Sequence, residues 1–133
     1  MNYLLDTHTL IWAITEKGKL SSVARKTIEN TDNTILVSAI SFWEITLKFS
    51  INKLDISGFL PEDLPGLSIK SGFNLIPLLP VESASYHHLP AIGLHKDPFD
   101  RMLIWQAIQQ ELILISKDKN ILQYKSAGLK LIW

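Results

Sequence analysis

The chain has 133 residues, 47% hydrophobic and 20% charged, the balance of a single folded domain spanning residues 1–133 with a real core. Its 13 basic residues offset 13 acidic ones, against the basic excess expected of a tight, sequence-indifferent nucleic-acid binder. It has no cysteine, which excludes disulfides, thiolate metal sites and cysteine nucleophiles.

Asn2–Leu5 predicts a short strand, and Thr7–Ile14 a helix carrying Leu10, Ile11 and Ile14 at helical spacing. After Lys17-Gly18-Lys19, Ser21 or Ser22 caps a helix to about Asn30, with Val23, Ala24, Thr27 and Ile28 expected inward. Thr34–Val37 is a buried strand, and Ser38 or Ser41 starts a helix reaching Ser50. Pro61–Gly72 predicts a helix opened by proline and closed by glycine. Asn74–Leu78 predicts a strand, Glu82–Leu89 a short helix and Pro90–Lys96 a loop. Asp97-Pro98 starts a helix to about Gln110, followed by a strand at Leu112–Ile115, a short helix at Lys119–Tyr124 and a last strand at Lys130–Trp133.

Strands alternating with helices predict an α/β fold: a central parallel sheet with helices on both faces, and an insertion or helical arm between the second and third strands. No apolar run reaches membrane-span length, and the first residues lack an export signal, so a cytoplasmic location without membrane attachment is expected.

Ligands bind such sheets beyond the carboxyl ends of the strands. Asp6 and Asp118 fall there, Glu44 lies in the helix after the second strand, and Asp100 heads the helix before the fourth. Two carboxylates about 4 Å apart repel by about 4 kcal/mol at an effective dielectric near 20, so a gathered set calls for a cation or raised pKa values. Oxygen-only ligands suit Mg²⁺ or Mn²⁺. Such an ion holds a phosphodiester oxygen and acidifies a water for in-line attack.

Each acid also has a purely structural reading. Asp6 and Asp118 are placed as N-caps, and Glu44 has Lys48 four residues on as an ion-pair partner. Asp97, before Pro98, reads as a cap rather than a ligand. Asp100 differs, because Leu103, Ile104 and Ala107 share its helix face and a carboxylate heading a buried side needs a partner. Arg101 points elsewhere on the helix and reads as a surface charge, with phosphate binding as the alternative. The four histidines lack zinc spacing, and His87 and His88 are expected to diverge on a helix. Of Trp12, Trp43, Trp105 and Trp133, most are expected in the core; alternatively, Trp12 and Trp43 line a partner groove.

Asp6-Thr-His-Thr-Leu-Ile-Trp, Val37-Ser-Ala-Ile-Ser-Phe-Trp-Glu-Ile, His95-Lys-Asp-Pro-Phe-Asp-Arg-Met-Leu-Ile and Ile115-Ser-Lys-Asp-Lys together resemble the PIN domain, and more narrowly the VapC-type toxins of bacterial toxin–antitoxin pairs. The resemblance covers essentially the whole chain. It implies a three-layer α/β/α nuclease that cleaves RNA with Mg²⁺ or Mn²⁺, with Asp6, Glu44, Asp100 and Asp118 as its catalytic, metal-holding acids. Ser38 and Ser116 match small hydroxyl positions that support the carboxylates or a water, and Asp97 matches an acid that caps or sits behind them. The resemblance also implies an antitoxin protein as partner, and a homodimer. Two other readings share this pattern: a catalytically inactive PIN-like interaction module, and a phosphatase or receiver-like domain in which His8 replaces the second aspartate of a D-x-D-x-T opening.

Overall fold

The computed structural model describes residues 1–56 and 58–133. Five parallel strands form one sheet: β1 (Asn2–Leu5), β2 (Thr34–Ser38), β3 (Asn74–Ile76), β4 (Ile113–Ile115) and β5 (Lys130–Ile132), in the order β3-β2-β1-β4-β5. The helices are α1 (Thr7–Thr15), α2 (Ser22–Glu29), α3 (Ala39–Ser50), α4 (Leu64–Lys70), α5 (Pro80–Ser85) and α6 (Pro98–Gln109), with a 3₁₀ segment at Lys119–Ala127.

The three layers follow from the two-residue period of the strands. Tyr3, Leu5, Ile35, Val37 and Ile115 face one core with Leu10, Ile11, Ala24 and Ile45. Leu4, Leu36 and Leu114 face the other, with Leu103, Ile104, Ala107 and Tyr124. A sheet covered on both faces needs apolar residues at every strand position, which is why these strands read as continuous runs. Leu4, Leu5 and Leu114 are fully buried, each contributing about 1.5–3 kcal/mol.

The expected arm between β2 and β3 comprises α3, a 3₁₀ turn at Pro61–Asp63 and α4, and its inner side folds onto the core through Ile56 and Leu64. Pro61–Gly72 is therefore not one helix. Pro65 has no N–H to continue the preceding turn, and Gly72, at φ +87°, ends α4. Asn74–Leu78 is shorter than expected, stopping at Ile76 before Pro77. The inward face predicted for α2 is narrower too: Ala24 is buried but Val23 is exposed. His87 and His88 do not diverge; in their 3₁₀ turn the rings lie 4.1 Å apart. Among the tryptophans Trp105 is buried, whereas Trp43 is 61% exposed against Phe99.

Candidate active site

The strand order reverses at β1: β2 and β3 lie on one side, β4 and β5 on the other. Helices cover opposite faces across such a point, which leaves a crevice beyond the strand ends. Leu5 is in register with Ile115, so Asp6 and Ser116 leave the sheet side by side.

Asp6 is 5% exposed, and its Oδ1 accepts from the Thr9 N–H at 2.8 Å, capping α1. Burial raises its pKa, and hydrogen bonds from Ser116 and Thr9 oppose the rise. Glu44 is 1% exposed on α3; Thr7 Oγ1 donates to its Oε1 at 2.5 Å, and Lys48 pairs with its Oε2. Burial lowers the Lys48 pKa, but Glu44, Asp97 and Asp100 outweigh that and raise it. Asp97 caps α6, accepting from the N–H groups of Phe99 at 2.9 Å and Asp100 at 3.1 Å. Asp118 caps the 3₁₀ segment through Asn120 N–H at 2.9 Å, and its own N–H donates to Ser116 Oγ at 3.1 Å.

Asp100 is where these groups meet. Burial pushes its carboxyl up from 3.8 to about 6, helped by repulsion from Asp97, Glu44 and Asp6 and opposed by a hydrogen bond with His95. Glu44, Asp97 and Asp100 each bring one oxygen within 4.8 Å of the others. His95, Asp100 and Asp118 form a second group with the same spacing, so Asp100 belongs to both. Asp6 lies outside both close groups. It reaches them through its charge on Asp100 and through a cavity of about 320 Å³ that it lines with His8, Trp12, Lys117 and Asp118.

The structure adjusts several sequence expectations. Asp97 is a cap, as predicted, but it also stands in the acid cluster. Ser116 stays at the site, opposing the rise in the Asp6 pKa and accepting from the Asp118 N–H, whereas Ser38 turns away: its hydroxyl donates to Gln106 Oε1 at 2.5 Å and accepts from Ile40 N–H at 3.1 Å. Arg101 is no free surface charge, since it bonds Tyr86, Tyr124, Leu89 and Pro90. His95 carried no weight as a zinc ligand, yet it touches Asp100 at 3.3 Å; its place two residues before Asp97-Pro98 was the available signal. Thr7 and Lys48 also join the site, through Glu44.

A cluster of carboxylates whose charges raise the proton affinity of Asp100 offers the oxygen donors that suit a hard cation, with Lys48 as its internal counter-charge. The PIN domain family matches residues 3–127. The chain is 25% identical to Ribonuclease VapC22 of Mycobacterium tuberculosis over 134 aligned positions, covering 98% of this chain and 97% of that protein. Its fold resembles VapBC2 from Rickettsia felis bound to a promoter DNA fragment (TM-score 0.67, 20% identity, 100% of this chain and 99% of that one). It likewise resembles DNA-bound VapBC from Salmonella typhimurium (TM-score 0.66, 18% identity, 99% of this chain and 97% of that one). The chain belongs to the PIN domain family.

Proposed function

We propose that this chain is a single-domain, Mg²⁺- or Mn²⁺-dependent endoribonuclease and the toxin of a toxin–antitoxin pair. The observation that carries this reading is Asp100, whose carboxylate stands within 4.8 Å of donor atoms of Glu44 and Asp97 and, in a second group of the same spacing, of His95 and Asp118. The donor set fits a divalent cation, because it offers several carboxylate oxygens and no sulfur. Asp6, Glu44, Asp100 and Asp118 would hold the ion, with Asp97 as a further oxygen within reach. When bound, the cation supplies polarisation of a phosphodiester and acidification of water.

The remaining steps belong to the protein. The Thr9 N–H holds Asp6 in one orientation, and the Thr7 hydroxyl does the same for Glu44. Lys48 moves off Glu44 Oε2 to free that oxygen. In the groove beside Asp6, Lys117 Nζ stands 5.8 Å from the Trp12 ring centroid and offers a phosphate contact next to a stacking face. An antitoxin partner is supported by the exposed side of α3, where Trp43, Leu47 and the C-cap residue Ile51 recur at four-residue spacing as an apolar stripe. Pairing of two copies as a homodimer and a cytoplasmic setting complete the reading; among the described residues no helix is long and apolar enough to cross a membrane.

Purified protein should cleave RNA with Mg²⁺ or Mn²⁺ and stop when the metal is chelated. A folded Asp100→Asn variant with undiminished cleavage would refute the assignment. The inactive-module reading draws on one observation, that Asp6, Asp97 and Asp118 are all N-caps. It predicts no divalent-cation binding by the wild type.

A further inference from the structure

Tyr124 is fully buried, and its hydroxyl meets two polar side chains: Arg101 Nη1 at 2.8 Å and His95 Nδ1 at 2.9 Å. A guanidinium only donates, so the phenolic oxygen accepts from Arg101 and must place its own proton elsewhere. Nδ1 is the acceptor within reach. Leaving the buried hydroxyl proton unpaired would forfeit its hydration with no bond in exchange, and this decides the tautomer. With Nδ1 accepting, the ring proton of neutral His95 lies on Nε2, which faces Asp100 Oδ2 at 3.3 Å.

Arg101 cannot easily turn away to release this arrangement. It also donates to Tyr86 Oη at 2.9 Å and to the carbonyl oxygens of Leu89 and Pro90, both at 3.1 Å. The loop carrying His95 turns at Gly93, whose φ of +59° is a left-handed conformation that favours glycine. One Arg101 N–H, the Tyr124 hydroxyl and His95 Nε2–H therefore form a single chain of donors that ends on the Asp100 carboxylate.

We infer that His95 is a positioning residue that orients the Asp100 carboxylate through Nε2–H, in a tautomer set by Tyr124 and Arg101. Its role at the metal rests on the nuclease reading; the tautomer does not. The same inference removes His95 from the ligand set, despite its spacing with Asp100 and Asp118. A metal on Nε2 would require the proton on Nδ1, and Tyr124 would then have no acceptor for its own.

Nitrogen-15 spectra of the metal-free protein test the tautomer directly. The wild type should show a protonated Nε2 and an unprotonated Nδ1, and added Mg²⁺ should leave both unchanged. In Tyr124→Phe, which removes only the hydroxyl, an Nδ1–H population should appear. Wild-type Nδ1–H, conversion to it on adding Mg²⁺, or no change in Tyr124→Phe would each overturn the inference.

Two substitutions separate the nitrogens functionally. The Gln amide nitrogen reaches the place of Nε2, whereas the Asn nitrogen reaches only that of Nδ1. His95→Asn should weaken Mn²⁺ binding and lower kcat by about tenfold, the range for lost outer partners of a ligand, with KM for RNA little changed. His95→Gln should restore both to within a few-fold of wild type. Equal losses in the two variants would overturn the positioning role. The spectra recorded before Mg²⁺ is added need neither metal nor RNA, so they decide the tautomer even if the chain binds no Mn²⁺, an outcome that would sink the nuclease reading alone.

Discussion

Replacing Asp100 with asparagine should stabilise the metal-free protein at neutral pH while abolishing cation binding. Burial, followed by repulsion from Asp97, Glu44 and Asp6, holds the Asp100 carboxyl at about 6 rather than 3.8, with His95 offsetting part of the rise. At 1.36 kcal/mol per tenfold change in proton affinity, that amounts to about 3 kcal/mol against the ionised form. Asparagine loses about 0.5–1 kcal/mol of helix-dipole interaction in the first turn of α6. A net gain of about 2 kcal/mol remains, a rise in Tm of about 6 °C for a chain of this length. The pH dependence fixes the sign. The unfolded carboxyl releases its proton near 3.8 and the folded one near 6, so between these values the native state holds more protons and stability falls as pH rises. The penalty is absent below 3.8 and complete above about 6. Thermal unfolding in chelator should therefore show wild type and variant converging toward about pH 4 and separating by about pH 7. Adding Mn²⁺ should raise Tm only for the wild type. A variant less stable than wild type at neutral pH, or a gap independent of pH, would refute the electrostatic account.

Asp6→Asn should keep its cap and, with the buried charge removed, be no less stable than the wild type in urea unfolding at neutral pH, while equilibrium dialysis shows Mn²⁺ binding lost. Lys48→Met leaves the buried Glu44 without its counter-charge, so the metal-free fold should lose about 2 kcal/mol in urea unfolding. The same variant should bind Mn²⁺ more tightly by calorimetry, since no ammonium competes for Glu44 Oε2. Arg101→Lys cannot reproduce a fork that bonds two tyrosines and two carbonyls, and chemical denaturation should show a loss of about 2 kcal/mol. Lys117→Ala should weaken RNA binding and reduce the salt dependence of log K by about 0.7, the value of one single-strand phosphate contact, in fluorescence titrations.

The fold was legible because its signals are local. Each strand is a short apolar run bounded by polar or turn residues, and α3 and α6 begin at capping serine and aspartate side chains. The four acids could be placed from the same information, because a parallel sheet brings the residues following its strands to one edge. What stayed hidden depends on side chains distant in sequence. His95 and Tyr124 are 29 positions apart, and Arg101 and Tyr124 are 23 apart. No periodicity reports that the Arg101 guanidinium turns into the core side of its helix rather than to water. Ser38 misled for the converse reason: it stands at the strand end where a site hydroxyl is expected, but Gln106 on α6 claims it.

Asp97 shows why cap and ligand were never exclusive alternatives. Its cap bonds from Phe99 and Asp100 both fall on Oδ1, and the Asn120 cap bond on Asp118 also falls on Oδ1. A helix N-terminus that takes one carboxylate oxygen freezes the side chain and leaves the other oxygen aimed. Preorganising a ligand in this way avoids the rotamer entropy, up to about 1.5–2 kcal/mol for flexible side chains, that binding would otherwise cost. Glu44 has no such spare atom, because Thr7 takes Oε1 and Lys48 takes Oε2. On the proposed reading the capped aspartates would meet a cation as they stand, whereas the Lys48–Glu44 pair would have to open. That is why Lys48, rather than any of the acids, sets how tightly the metal-free site is closed.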